Sequence, residues 1–262
     1  MPALLQIEGL ATHIRVHHGE IVAVDCLSLS MDVGETLGLV GDSGCGKTMT
    51  ALSVMGLLPP GGHVARGRIV YQGQDLTRLP ERRMRLVRGR EIAMVFQDPA
   101  AALNPTMAIG DQVAEGATAH QHLSRREASA RALEALGDAG AEDPEAVSHL
   151  YPHQLSGGLR QRILIAMAII SRPKLLLADE PTTAVDLVVA HQIMATLETL
   201  KQRLGLSILL LSHDRDLVEA WADRTLEMRS GRLSASGREQ LDGGAVPDRE
   251  LVPLPPSAWG LR

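Results

Sequence analysis

An α/β core interrupted by a helical subdomain is the fold class that the sequence predicts. Short apolar runs with strand character recur along the chain, helical periodicities separate several of them, and a mostly helical block stands between the earlier strands and the later ones.

The strand-like runs are Leu5 to Leu10, Thr36 to Val40, Arg68 to Gln72, Ile92 to Phe96, Lys174 to Ala178, Ser207 to Leu211 and Arg224 to Met228. Several are apolar throughout, which is the composition of strands buried on both faces. The clearest helix runs from Asp186 to Leu204, where Ala190, Ile193, Leu197, Leu200 and Leu204 recur at helical spacing and Gly205 supplies the stop. In the helical block, Ser124-Arg-Arg-Glu127 has the spacing of a capping box, and Ala128, Ala132, Leu133 and Leu136 follow on one side. The expected division is a core over residues 1–97 and 161–235, a helical subdomain over 98–160 and a loosely attached tail over 236–262, where Pro253, Pro255 and Pro256 forbid regular structure.

With 262 residues and 45% apolar content, the chain can bury one substantial core. Its longest apolar run, Ile163 to Ile170, falls far short of the roughly 20 residues that a membrane-spanning helix needs. The first residues lack the basic and apolar regions of a secretion signal, and Cys26 and Cys45 make no disulfide framework, so a reducing cytosol is expected. A net charge of −5 with 2% aromatic residues supplies neither the basic footprint nor the stacking platform of a nucleic-acid binder. The arginine run from Arg82 to Arg90 reads as a solvated face. His17-His18 and His120-Gln-His122 lack supporting Cys, Asp or Glu ligands and read as surface histidines.

Chemistry concentrates in three places. Gly41-Asp42-Ser43-Gly44-Cys45-Gly46-Lys47-Thr48 fits the G-x-x-x-x-G-K-[ST] pattern, follows the strand ending at Val40 and opens an apolar helical stretch, Met49 to Leu58. Glycines let such a loop turn its N–H groups inward, and the helix start adds a positive dipole end. Lys47 is then expected to reach the β- and γ-phosphates of a nucleotide and Thr48 to hold Mg²⁺. Cys45, beside that helix start, is expected to have a lowered thiol pKa and to be modifiable. Second, Lys174-Leu-Leu-Leu-Ala-Asp179-Glu180 is a buried strand ending in two carboxylates, with Asp179 suited to the Mg²⁺ shell and Glu180 to polarising a water. Third, Leu155-Ser156-Gly157-Gly158-Leu159-Arg160-Gln161-Arg162 reads as a second capped helix start and a second anion site. One nucleotide does not need both from one chain, so a head-to-tail dimer closed around ATP is expected.

In order and spacing these segments, together with Phe96-Gln97-Asp-Pro, Thr183-Ala-Val-Asp186 and Ser212-His213-Asp214, resemble the motifs of ABC ATPases over about residues 4–235. GETLGLVGDSGCGKT, IAMVFQDPAAALNP, YPHQLSGG, ADEPTTAVD and LSHD look most like the peptide/nickel import group. The resemblance implies a P-loop NTPase (RecA-like) core with an N-terminal antiparallel β part, ATP and Mg²⁺ as cofactors, and ATP hydrolysis that energises uptake of peptides or nickel complexes. It implies that Gln97 senses Mg²⁺ and the attacking water, that His213 contacts the γ-phosphate, and that Asp186 crosses to a partner's site. Ser156 and Gly158 would bind the partner's γ-phosphate, and Thr50, Gly157 and Gln161 complete the implied nucleotide set. The implied partners are a second ATPase subunit, more often a different one than a copy, two membrane permease subunits and, indirectly, a substrate-binding protein. The implied place is the cytoplasmic face of the inner membrane, without nucleic acid. The rival readings are a non-transport ABC ATPase of DNA repair and a regulatory subunit that does not hydrolyse ATP.

Two features depart from the group's pattern. Ile14 stands where an aromatic residue usually stacks on adenine, leaving apolar contact from Ile14, or a role for His13 or His17. No cysteine follows Cys45, so an iron–sulfur cluster near the end of this sequence is excluded.

Overall fold

The computed structural model describes residues 3–17, 19–120, 123–183 and 185–234. The expected tail, and His18 and His122 of the two histidine pairs, lie outside the described residues. In chain order the elements are β1 (Leu5–Val16), β2 (Gly19–Met31), β3 (Thr36–Val40), α1 (Lys47–Met55), β4 (Gly62–Tyr71), β5 (Gln74–Asp75), α2 (Glu81–Val87), β6 (Ile92–Val95), α3 (Pro99–Ala102), α4 (Ile109–Thr118), α5 (Arg125–Asp138), α6 (Pro144–Ser148), α7 (Gly157–Ile169), β7 (Leu175–Asp179), α8 (Leu187–Leu204), β8 (Ser207–Ser212), α9 (Arg215–Trp221), β9 (Arg224–Arg229) and β10 (Arg232–Leu233). Each of the seven expected strands is present in this order as β1, β3, β4, β6, β7, β8 and β9. Contacts divide the chain into two compact units, one up to Met84 and from Leu210 onward, the other Arg85–Leu209.

In the first unit, β1 pairs antiparallel with β2 and β4, and β5 closes the edge, giving the order β2-β1-β4-β5. Alternation along β1 buries Leu5 and Ile7 while Gln6 stays exposed, the period of a strand with one face in a core. α1 lies against this sheet, where the buried hydroxyls of Thr12 and Ser53 share a hydrogen bond of 2.8 Å. β3, buried along its whole length, pairs parallel with β9, and β10 adds antiparallel beyond it. The expected N-terminal antiparallel part is the four-stranded sheet.

β2 is absent from the sequence expectations because Asp25 and Cys26 interrupt its apolar pattern, and Cys26 takes a φ of 54°. The strand survives the interruption through distant partners. Arg232 holds the Asp25 carboxylate at 2.7 Å, and the Asp25 N–H donates to Gly231 O at 2.8 Å. β5 and β10, two residues each, are too short to leave a periodic signal.

In the second unit, β6 and β7 run parallel with Ile92 opposite Leu175 and Val95 opposite Ala178, and both are buried throughout. The Ser207 N–H donates to Lys174 O at 2.9 Å and ties the start of β8 to the segment before β7. α4, α5 and α7 pack on one another, and α7 also meets β6 and α8. Ile109, Val113, Ala132, Leu136, Ile163 and Ile165 form this core, each at most 1% exposed. Gln112 is the polar pin: it accepts from the Asn104 N–H and donates to the Asn104 and Met107 carbonyls, fixing the loop before α4. α8 buries Ala190, Ile193, Leu197 and Leu200, and Gly205 closes it in the left-handed conformation. Along α2 and just after it, Arg82, Arg83, Arg85 and Arg90 are exposed while Met84 and Val87 are buried, the solvated face that the sequence suggested.

The capping box at α5 is complete. The Ser124 hydroxyl accepts from the Glu127 N–H at 3.3 Å, and Glu127 takes the Ser124 N–H at 2.8 Å. The Ser124 hydroxyl and N–H hold the Glu127 carboxyl below its ordinary range. A carboxyl so lowered adds stability at neutral pH, and that stability is lost as pH falls through the folded-state value. Replacing Ser124 by Ala should cost about 1 kcal/mol. Chemical denaturation at neutral pH checks this, and the difference from wild type should narrow in acid.

Candidate functional site

In the first unit, β3 delivers the chain to the glycine-rich loop. The Gly41 N–H donates to Ser212 O at 3.3 Å, so the C-terminal ends of β3 and β8 meet there and the exposed His213 follows directly. Gly46 takes a φ of 110°, and a Cβ at that position would stand 2.5 Å from Ala23 O and 2.8 Å from Met228 Cε. Only glycine fits. Lys47, 5% exposed, curls the loop around its ammonium, with Nζ donating to Gly41 O at 2.6 Å and to Asp42 O at 3.1 Å.

α1 begins with no side-chain cap and no acidic residue in its first turn. Among the described residues six other helices start on a capping side chain, from Asp98, Ser124, Asp143, Ser156, Asp186 or Asp214, and α4, which follows Ala108 without one, carries Asp111 in its first turn. The N–H groups of Ser43, Gly44 and Gly46 meet no acceptor among the described residues. An uncapped helix start, free loop N–H groups and a buried ammonium together make a site for a multiply charged anion, and the residues fit a nucleotide triphosphate.

Three expected residues sit inward. The Thr50 hydroxyl, fully buried, donates to Gly46 O at 3.0 Å, so Thr50 bears on the loop through Gly46. Cys45 is buried, and desolvation pushes its thiol above the ordinary value, outweighing the opposing influence of Lys47. This corrects the expectation of a thiol lowered by the helix start. Ile14 is buried on β1 between Ile21 and Gly62, whereas the neighbouring His13 is engaged with Glu20 at 2.9 Å and His17 is exposed.

In the second unit, the parallel pairing of β6 and β7 brings Gln97 to the same sheet edge as Asp179 and Glu180. Gln97 is exposed, one residue before Asp98, whose carboxylate accepts from the Ala100 and Ala101 N–H groups to start α3. Asp179 and Glu180 are 1% and 6% exposed. Glu180 takes a φ of 49°, a backbone state that a side chain adopts at a cost of order 1–3 kcal/mol. Such strain collects where a side chain must be aimed.

α7 and α8 begin side by side. A Cβ on Gly158 would come within 2.5 Å of Val189 Cγ1, so the Ser156-Gly157-Gly158 turn lies on the first turn of α8. Ser156 caps α7 through the Leu159 N–H at 3.3 Å, and Asp186 caps α8 through the Val189 N–H at 2.9 Å. Ser156, Gly157 and Asp186 are exposed, with Leu187 and Val188 beside them at 73% and 68% exposure. Behind this ridge Gln161 is buried at 1%, and its amide nitrogen has no hydrogen-bond partner among the described residues.

Sequence reasoning gave no role to the residues that hold these pieces. Thr183 touches Glu180 twice, N–H to carbonyl at 3.1 Å and hydroxyl to carboxylate at 3.5 Å. Arg160 donates to Pro152 O, while Arg162 donates to Gly140 O and to Gln192 Oε1, lacing α7 to the turn after α5 and to α8. The arginines directly after the Ser-Gly-Gly turn were visible, but their acceptors are carbonyls that no sequence pattern marks.

Comparison with known proteins agrees with this geometry. Residues 24–183 match the family model described as ABC transporter. The oligopeptide transport ATP-binding protein OppD of Bacillus subtilis (strain 168) is 40% identical over 98% of this chain and 70% of its own length. The putative peptide import ATP-binding protein BAB2_1052 of Brucella abortus (strain 2308) is 45% identical over 89% of this chain and 70% of its own. Among solved structures, the dimeric post-hydrolysis state of the ATP-binding cassette MJ0796 bound to ADP and Pi superposes with a TM-score of 0.78 at 26% identity, over 87% of this chain and 96% of that one. The chain belongs to the ABC transporter family, on the side of its ATP-binding cassettes.

Proposed function

We propose that this chain is the ATP-binding and ATP-hydrolysing subunit of an importer that takes up peptides through separate membrane subunits. The observation that carries the reading is the start of α1, an uncapped helix terminus with the Lys47 ammonium folded into it. A triphosphate is the ligand whose charge answers both. Relatives matched over most of the chain carry oligopeptide transport or peptide import in their names, which favours peptides over nickel as cargo.

In this reading Lys47 binds β- and γ-phosphate oxygens and the loop from Gly41 to Gly46 presents the N–H groups of Ser43, Gly44 and Gly46, while Ile14, buried on β1, offers no exposed face to the base. The Thr48 hydroxyl, the Asp179 carboxylate and the Gln97 amide are hard oxygen donors suited to Mg²⁺, which when bound neutralises charge on the phosphate oxygens. Glu180 takes the proton of the attacking water, and His213 contacts the γ-phosphate.

Ser156, Gly157 and Gly158, backed by Gln161, act on the nucleotide of a partner, and Asp186 crosses to the partner's site. The exposed ridge at the starts of α7 and α8 supports this pairing, as does the dimeric state of the matched cassette. The partner is a second, different ATPase subunit. The stretch 98–160 passes the nucleotide state to two permease subunits at the cytoplasmic face of the inner membrane, fed by a substrate-binding protein. No helix among the described residues is long and apolar enough to cross a membrane.

Lys47→Ala should weaken ATP binding at least about tenfold, read by equilibrium titration. Glu180→Gln should leave MgATP binding intact and lower steady-state turnover about a hundredfold or more. Turnover that survives Glu180→Gln would overturn the hydrolytic assignment. Ser156→Ala should leave ATP affinity of the isolated chain within about twofold and cut turnover of the assembled pair at least about tenfold, because the serine serves the other chain's nucleotide. In reconstituted vesicles, peptide and not nickel complexes should be the cargo whose import stops with Glu180→Gln.

A further inference from the structure

The four-stranded sheet carries a cluster that the nucleotide chemistry does not use. His13 on β1 lies directly opposite His63 on β4, and opposite Val22 on β2. Glu20 is two residues from Val22, so the strand period returns it to the same face. Three adjacent strands thus bring two imidazoles and a carboxylate together. His13 Nδ1 stands 2.9 Å from Glu20 Oε2, His63 Nε2 stands 3.5 Å from Glu20 Oε1, and one donor atom from each residue lies within 4.8 Å of the others.

We propose that His13, Glu20 and His63 form a binding site for a divalent transition-metal cation of the Zn²⁺ type, separate from the nucleotide site. A tetrahedral ion bound at about 2.1 Å spaces its donors roughly 3.4 Å apart, near the 2.9 Å from His13 to Glu20 Oε2 and the 3.5 Å from His63 to Glu20 Oε1. Two imidazoles and one carboxylate are the donor set such cations take, with a fourth position left for water. A second observation points the same way. His63 Nδ1 lies 3.4 Å from Gly61 O, so the N–H on that nitrogen donates to the carbonyl and Nε2 is left to coordinate. This is the outer contact that commonly orients a metal-binding histidine. The rings, with centroids 6.0 Å apart and planes at 65°, are not stacked on each other. The side chains are accessible, at 19% for His13, 41% for Glu20 and 36% for His63, so an ion can enter without unfolding. The site differs from both sequence pairs, His17-His18 and His120-Gln-His122, because its members lie on three strands and meet only through strand pairing. An ion there would tie β1, β2 and β4 together beside Ile14, which the same strand turns to the buried face.

The test is isothermal titration of Zn²⁺ into the chelator-stripped full chain without nucleotide, with Co²⁺ absorption as a reporter of tetrahedral geometry. One equivalent per chain should bind, and His13→Ala and His63→Ala should each weaken it at least about tenfold. Glu20→Gln, nearly isosteric and on an accessible strand end, gives the same readout should either histidine variant fail to fold. MgATP affinity of the folded variants should stay within about twofold of wild type, which separates this site from the nucleotide site. No saturable equivalent, or one that survives all three substitutions, would overturn the proposal and leave the cluster as a metal-free His–Glu–His contact.

Discussion

The beginning of α1 is the constraint on which the rest depends. A helix exposes four N–H groups at its start, and most helices here answer them with an aspartate or serine. At α1 the position is taken by Gly46, forced there by its left-handed backbone and by Ala23 O and Met228 Cε pressing where a Cβ would stand. The same packing that demands glycine therefore withholds the cap. Capping is worth about 1 kcal/mol, and forgoing it leaves a partial positive charge next to an ammonium. An anionic ligand relieves that arrangement, so the stability given up at the helix start becomes binding selectivity.

The second unit solves a different problem, that of holding carboxylates where they would not settle by themselves. Asp179 and Glu180 end a strand buried on both faces, where charge is costly, and Glu180 carries its positive φ in addition. Thr183 turns the chain back with its N–H on the Glu180 carbonyl and its hydroxyl near the carboxylate. The local sequence thus supplies the brace for its own strain within three residues.

Much of this was legible in the sequence, and the parts that were not share a cause. Continuous apolar runs such as Thr36 to Val40 and Lys174 to Ala178 mark their strands because both faces are buried, and the Gly-Lys-Thr and Ser-Gly-Gly turns mark theirs because a backbone shape dictates the residue type. β2 hides because Asp25 breaks its pattern, and the residue that makes Asp25 tolerable, Arg232, is 207 positions away. Cys45 misled for the same reason. The helix start beside it is local and visible, whereas the burial that raises its thiol pKa comes from how the loop folds onto itself, with Gly41 close enough that a Cβ there would meet the sulfur at 2.8 Å. The His13, Glu20 and His63 cluster likewise needs strand register, which periodicity alone does not assign.

Coupling to a membrane partner asks for a residue that feels the phosphate and moves something remote, and the segment around Gln97 has the right mechanical form. β6 is wholly buried, yet the chain emerges at once through Phe96, 43% exposed, and Gln97. Asp98 then seizes the N–H groups of Ala100 and Ala101, making the next turn a rigid continuation of its own backbone. In the function proposed here, a displacement of Gln97 is opposed on the strand side by the burial of β6. It passes instead into α3, which packs on α7, the helix that begins at Ser156. In the function proposed here, the residue that reads this chain's nucleotide and the turn that reaches the partner's nucleotide are thereby joined through a single helix contact.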